Sequence, residues 1–374
     1  MNAPPAPAAL GYRLPGEWEP HQATWIAWPH NRTDWPGKFA AIPWVYAEIV
    51  RHLSRVERVD ILVNNAAAEL AARDILVAAE VLPKRAAEPG TPSGSIRFWQ
   101  IPTNRGWLRD TGPIFVCRRG RSRVPPGPAV AAVAWRFNGW AKYNDWKSDA
   151  PISAELGYRL NLPTWQPEIV IDGQPRRVVL EGGSIDVNGR GTLLTTEECQ
   201  LSEVQQRNPG VTRAQLEQLW ANYLGVTRVI WLGRGIAGDD THGHVDDISR
   251  FVAPDTVVTA YEPDTADANH KPLRENFRRL KGSTDQSGRP LRVVKLPMPA
   301  PVYFDGQRLP ASYANFYLAN RLVLVPVFND PNDRVALNTL AEVLRDRRVV
   351  GIYCGDFVLG RGALHCMTQQ QPAV

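Results

Sequence analysis

The sequence predicts an α/β fold, because apolar segments of helical and strand periodicity alternate along the whole chain. No long linker separates a helical half from a strand-rich half. The 374 residues, 44% hydrophobic and 22% charged, hold enough apolar surface for a large core. Met1 to Leu10 is an Ala/Pro tract expected to be a disordered tail, and one domain is expected from Gly11 through Val374.

Helices are expected at Ile42 to Val56, Ala67 to Val81 and Arg334 to Arg345, and most clearly after Thr212. Thr212-Arg213-Ala214-Gln215 reads as a capping box. Leu216, Leu219, Trp220, Tyr223 and Leu224 follow at helical spacing, and Gly225 stops the run. Strands are expected at Asp60 to Val63, Val130 to Phe137, Arg228 to Trp231, Leu291 to Lys295 and Leu322 to Val327. Ser184 to Val187 and Thr192 to Thr195 flank Asn188-Gly189-Arg190-Gly191, which predicts a hairpin with Glu181-Gly182-Gly183 at its mouth. Breaks fall at Lys84 to Gly94, Gly120 to Pro128 and Lys281 to Arg289.

Composition excludes several classes. No apolar run is long enough to span a bilayer, and the N-terminus lacks the basic start and apolar stretch of a secretory signal. Cys117, Cys199, Cys354 and Cys366 include no C-x-x-C pair, which argues against a disulfide framework or a zinc ribbon and favours a reducing cytoplasm. The net charge of +5 comes from scattered residues. Its densest cluster, Arg118 to Arg123, adjoins PPGP and reads as a solvated loop, so no nucleic-acid partner is expected.

Four segments point to chemistry. Cys366 lies in GALHCMTQQ, and a cysteine is more often a small buried hydrophobe than a nucleophile. Its polar, glycine-flanked surroundings differ from the core-like run Val349 to Cys354 and leave backbone N–H groups near the sulfur. Asp239 to Asp247 packs four carboxylates and two histidines into nine residues just before Ile248, Phe251 and Val252. An extended backbone there would put His244 and Asp246 on one face. The H-x-H-x-D spacing of His242, His244 and Asp246 also resembles part of a binuclear zinc signature, but Asp247 stands where that signature has a histidine. WLRDTGP, from Trp107, and Leu180-Glu181-Gly182-Gly183 each read equally well as turns when taken alone.

A thiol, a histidine and three carboxylates (Asp110, Glu181, Asp246) suit a cationic substrate better than a neutral amide. A guanidinium is planar, permanently charged and can be gripped by two carboxylates, and Trp107 could cover it through its π face.

Here the chain resembles the agmatine deiminase family of the guanidino-group-modifying (pentein) superfamily, related to bacterial peptidylarginine deiminase. The matching pieces run from end to end: LPGEWEPHQATWIAWP, WLRDTGPIFV, LEGGSIDVNGRGTLLTTEEC, GDDTHGHVDD, ASYANFY and ALHCMTQQQP. The resemblance implies a five-bladed α/β-propeller with pseudo-fivefold ββαβ repeats, a repeat that the sequence does not display. It also implies Cys366 as nucleophile, His244 as general acid/base, Asp110 and Asp246 as guanidinium ligands, and Glu181 as partner of the histidine or the guanidinium. Asp240 becomes the candidate for the distal amine of agmatine.

The same resemblance implies no metal or organic cofactor and is compatible with a homodimer. His242 and Asp186 depart from the family pattern, which commonly has Asp or Asn and His there. A free-arginine deiminase would need a cation for the α-carboxylate, for which Arg109 or Arg136 are candidates. A guanidine-binding pentein without turnover is the non-enzymatic alternative. The Trp-rich stretch Trp135 to Trp146 reads as packing or a site lid.

Overall fold

The computed structural model describes residues 5–84, 95–118 and 127–374. Most of the Arg118 to Arg123 cluster and of the breaks before Gly94 and Pro128 lies outside them. Five sheets of three or four strands dominate the described residues, beside two two-stranded ribbons. Each of the five has one order: a short strand antiparallel to a second, which pairs in parallel with a third.

In chain order the triplets are Ile114–Cys117, Val130–Val133 and Thr164–Trp165; Asp186–Val187, Thr192–Thr196 and Arg228–Leu232; Ser249–Ala253, Thr256–Tyr261 and Arg292–Pro297; and Tyr317–Ala319, Leu322–Val327 and Arg348–Tyr353. The remaining sheet joins the chain ends. There Thr368–Pro372 runs antiparallel to His21–Ala27, which pairs in parallel with Arg58–Val63 and, beyond it, Ile96–Gln100.

A parallel neighbour cannot be reached by a hairpin, so helices make each crossover. These include Ile42–Leu53, Ile152–Arg159, Arg213–Leu224, His270–Lys281 and Pro331–Val343. Arg213–Leu224 starts at the expected Thr212–Gln215 capping box and ends on Gly225 in the left-handed region. The expected hairpin after Glu181 is present, with Gly189 and Gly191 at positive φ.

Alternate residues of a strand face opposite sides, and here each side feeds a different apolar cluster. Leu193 packs with Val116, Val133 and Trp220, whereas Leu194 packs with Phe251, Val257 and Leu273. Val323 and Val325 join Val252 and Val258, whereas Leu322 and Leu324 join Ile26, Val59 and Ile61 of the sheet made by the chain ends. Trp25 and Leu62 of that sheet meet Phe115 and Val130 of the next, so every sheet is tied to a neighbour on each face.

The segments that lead into the five first strands also meet one another. Leu108–Thr111 touches Gly182–Ser184, which touches Val245–Asp247. The Ser312 hydroxyl donates to the Asp247 carbonyl, the His365 N–H donates to Asn315, and Leu364–Met367 returns to Leu108–Thr111. The candidate chemistry sits on this inner ring.

Two local expectations are corrected. The tail is ordered at its end, where Pro7–Leu10 form a 3-10 turn with Pro7 buried and packed on Arg213–Leu224, because Pro7 presets φ and Gly11 supplies a left-handed stop. Val245–Asp247 is a 3-10 turn, not an extended tail, because the chain must turn there to enter its strand.

Leu324 is fully buried between two sheets, while Val335 is 50% exposed on a helix. Leu324→Ala should lower unfolding stability by about 2–5 kcal/mol and Val335→Ala by less than about 1 kcal/mol. Urea titration checks both, and equal costs would contradict this account of the packing.

Candidate active site

Cys366 is buried on the short helix Leu364–Met367, just before the last strand. Its Sγ accepts from Asn315 Nδ2 at 3.1 Å and donates to Asp246 Oδ2 at 3.4 Å. Asn315 Nδ2 also donates to Asp247 Oδ1 at 2.9 Å, tying the thiol to the neighbouring acid pair. Burial pushes the Cys366 thiol well above its ordinary range, and Asp246, Asp247 and Asp110 push the same way. Both effects favour the protonated thiol when no cation lies beside it.

Asp246 and Asp247 cannot both be charged cheaply at this depth. Burial raises Asp247, and Asp246 and Asp239 raise it further, which favours its neutral form. Burial also opposes charge on Asp246, but His365 hydrogen-bonds it and holds its carboxyl below the usual range. His365 Nδ1 lies 2.7 Å from Asp246 Oδ2, and Nε2 lies 2.8 Å from Glu17 Oε2. Glu17 in turn pairs with Arg250 at 2.9 Å and Arg109 at 3.3 Å. Burial alone would neutralise Glu17, yet Arg250, His365 and Arg109 hold it well below the carboxylate range.

His244 is placed by the loop before it. Asp239 Oδ2 accepts from the N–H groups of Gly243 and His244, and Thr196 Oγ1 donates to the Gly243 carbonyl at 2.5 Å. Gly243 has φ +87°, and a side chain there would come within 2.8 Å of Glu198. His244 Nδ1 lies 3.9 Å from Asp110 Oδ2, and Nε2 lies 3.8 Å from Glu181 Oε2. Burial works against charge on this ring, but Asp110, the adjoining Cys199 thiol and Glu181 together hold it well above the ordinary histidine range.

Asp110 accepts from Trp140 Nε1 at 2.8 Å and from the Gly183 N–H at 2.9 Å. Its carboxyl is raised by burial, with His244 opposing. Glu181 Oε1 accepts from Arg207 Nε at 3.0 Å, and although burial opposes it, Arg207 leads in holding the carboxyl at about 2. Gly183 lies at the convergence: a Cβ there would stand 2.7 Å from His244 Nδ1 and 3.0 Å from both Asp110 Oδ1 and Asp246 Oδ2. Glu181 Oε2, Asp246 Oδ1 and both His244 ring nitrogens are buried with no hydrogen-bond partner. Such atoms are costly unless a ligand meets them.

Cys366 and Asp110 face a pocket that Trp107, Trp140, Tyr143, Asp240, Thr241, Arg105 and Arg361 also line. Trp107 is wedged against Trp35 and Phe357, which fixes its ring. Asp240 Oδ2 accepts from Tyr143 and, at 3.3 Å, from Lys142. Trp107, Asp110, Asp240 and Cys366 thus line this cavity, and Glu181, His244 and Asp246 form the cluster behind it.

Other expectations fail on geometry. Arg109 turns away to Gln370, Glu17 and the His365 carbonyl, and Arg136 is exposed, so neither reaches the cavity. His242 bonds to Ser202 at 3.1 Å and does not join His244 and Asp246 in a metal set. The one grouping of metal-ligating atoms among the described residues is Glu181, Cys199 and His244. Asp186 pairs with Arg250 at 2.6 Å, behind the cluster. Within the Trp-rich stretch, Trp140 is part of the cavity wall while Trp135 packs on Tyr223.

Sequence reading gave no role to Asn315, His365, Glu17, Arg207 or Cys199, although all but Arg207 lie within the matching pieces, and Trp140 falls in the stretch read as packing or a site lid.

The raised thiol has a measurable consequence. Because the proton is retained, alkylation of Cys366 by iodoacetamide in the free protein should keep rising above about pH 8.5, the range of an ordinary thiol. Peptide mass spectrometry reads the rate, and a plateau below about pH 7.5 would show a thiolate already formed.

Comparison with known proteins identifies the family. The Porphyromonas-type peptidyl-arginine deiminase family matches residues 13–372. Agmatine deiminase of Medicago truncatula is 34% identical over 401 residues, covering 100% of both chains. The structure of an Enterococcus faecalis agmatine deiminase superposes with a TM-score of 0.85 at 30% identity, covering 100% of this chain and 99% of that one. A C. jejuni agmatine deiminase with substrate bound superposes at 0.79 with 27% identity, covering 96% of each chain. The chain therefore belongs to the Porphyromonas-type peptidyl-arginine deiminase family.

Proposed function

We propose that this protein is a cytoplasmic hydrolase of C–N bonds that converts agmatine and water to N-carbamoylputrescine and ammonia through a thiouronium on Cys366. The meeting of the Cys366 thiol with Asp110, Asp246 and His244 around Gly183 carries the reading. The names of the similar Medicago, Enterococcus and C. jejuni proteins support the substrate. The five like sheets and their closed chain of contacts support a five-bladed propeller, with one lead-in segment per blade supplying the site.

In this mechanism the guanidinium enters as a cation and pairs with Asp110 and Asp246, with the Trp107 ring nearby. Its charge offsets the carboxylates that disfavour the thiolate, and the thiol proton passes by way of Asp246 to solvent. The thiolate adds to the guanidinium carbon. His244, carrying a proton, donates it to one amino group, the C–N bond breaks and ammonia leaves. Neutral His244 then takes a proton from water as the oxygen adds to carbon. The C–S bond breaks, the thiolate returns, and loss of the hydroxyl proton leaves the ureido product.

Asp240 lies in the cavity wall, where it suits a distal amine and repels an α-carboxylate. Agmatine, arginine and an arginyl peptide should be assayed for ureido product with the wild type and Asp240→Asn. Wild type should turn over agmatine by far the fastest, and the variant should show a KM for agmatine raised about 10- to 100-fold, the worth of one charged hydrogen bond. Faster turnover of the peptide would overturn the substrate assignment, and inertness of all three would overturn the reaction.

A further inference from the structure

We infer that Glu181, Cys199 and His244 form an inhibitory site for a zinc-like divalent transition metal, behind the thiol that performs the proposed reaction. Their ligand atoms lie within 4.8 Å of one another, on three side chains that are almost wholly buried. Glu181 Oε2 and both His244 ring nitrogens have no hydrogen-bond partner, so binding would displace no hydrogen bond and only the looser 3.8 Å pairing of His244 Nε2 with Glu181 Oε2.

The donor set selects the metal. A thiolate, an imidazole and one carboxylate oxygen suit zinc with one position left open, whereas calcium and magnesium take oxygen ligands. Arg207 holds the other carboxylate oxygen at 3.0 Å and orients Oε2, as outer-shell partners do around metal ligands. Two negative ligands also offset the charge of the dication.

A metal and protons compete for the same ligand atoms, as at any thiolate and imidazole site. Affinity therefore rises with pH. A metal-bound His244 can neither protonate departing ammonia nor accept a proton from water, so metal and turnover exclude each other. That inhibitory consequence rests on the proposed deiminase reaction, but metal binding does not.

Cobalt(II) tests the site without an activity assay, since a bound thiolate gives an intense near-ultraviolet charge-transfer band. Titration of the wild type should give that band at one equivalent, and Cys366→Ala should retain it. Cys199→Ser should lose the band and bind zinc more than about 10-fold more weakly, the least expected when even an outer-shell partner is lost. The Cys366→Ala arm stands whether or not Cys199→Ser folds. No band in the wild type, or a band lost in Cys366→Ala, would overturn the proposal. Agmatine turnover that zinc leaves untouched while the band forms would overturn the inhibition alone.

Discussion

A buried relay of charge, from Cys366 through Asp246 and His365 to Glu17, Arg250 and Arg109, sets the state of the whole site. Three acids near one thiol would ordinarily be neutralised by burial. His365 holds Asp246 low against its burial, Arg250 with His365 and Arg109 holds Glu17 low, and the thiol is pushed the opposite way by burial and by Asp246. Asp186 pairs with Arg250 and so acts on this relay from behind.

The relay joins segments that are far apart in sequence, and the repeated sheet order makes that possible. Each lead-in to a first strand ends on the same inner ring, so Asp110, Gly183, Asp246, Asn315 and Cys366 meet although each belongs to a different sheet. Apolar clusters on both faces of every sheet hold the ring closed. Precision at the sulfur thus depends on packing well away from it.

Much of this was legible in sequence, and the illegible part has a physical cause. The Arg213–Leu224 helix and the hairpin after Glu181 carry local signals, a capping box and turn glycines, and both stand as expected. The helix His270–Lys281 was missed because its buried face is sparse, limited to His270, Leu273, Asn276 and Leu280. The recurring strand order of the five sheets was invisible because strands such as Leu322–Val327 are buried on both faces and read as unbroken apolar runs without alternation. Cys366, His244, Asp110, Asp246 and Glu181 could be singled out as candidates because each lies in a short polar motif. Asn315 and Glu17 were missed because their roles come only from contacts across the ring.

The central claim is that carbon–nitrogen cleavage passes through a covalent bond to Cys366. Rapid acid quench during agmatine turnover, followed by peptide mass spectrometry, tests it most directly. The account predicts a thiouronium adduct on the Cys366 peptide, absent from Cys366→Ala along with all ureido product. Ammonia release by Cys366→Ala at the wild-type rate, or an adduct on another residue, would contradict it.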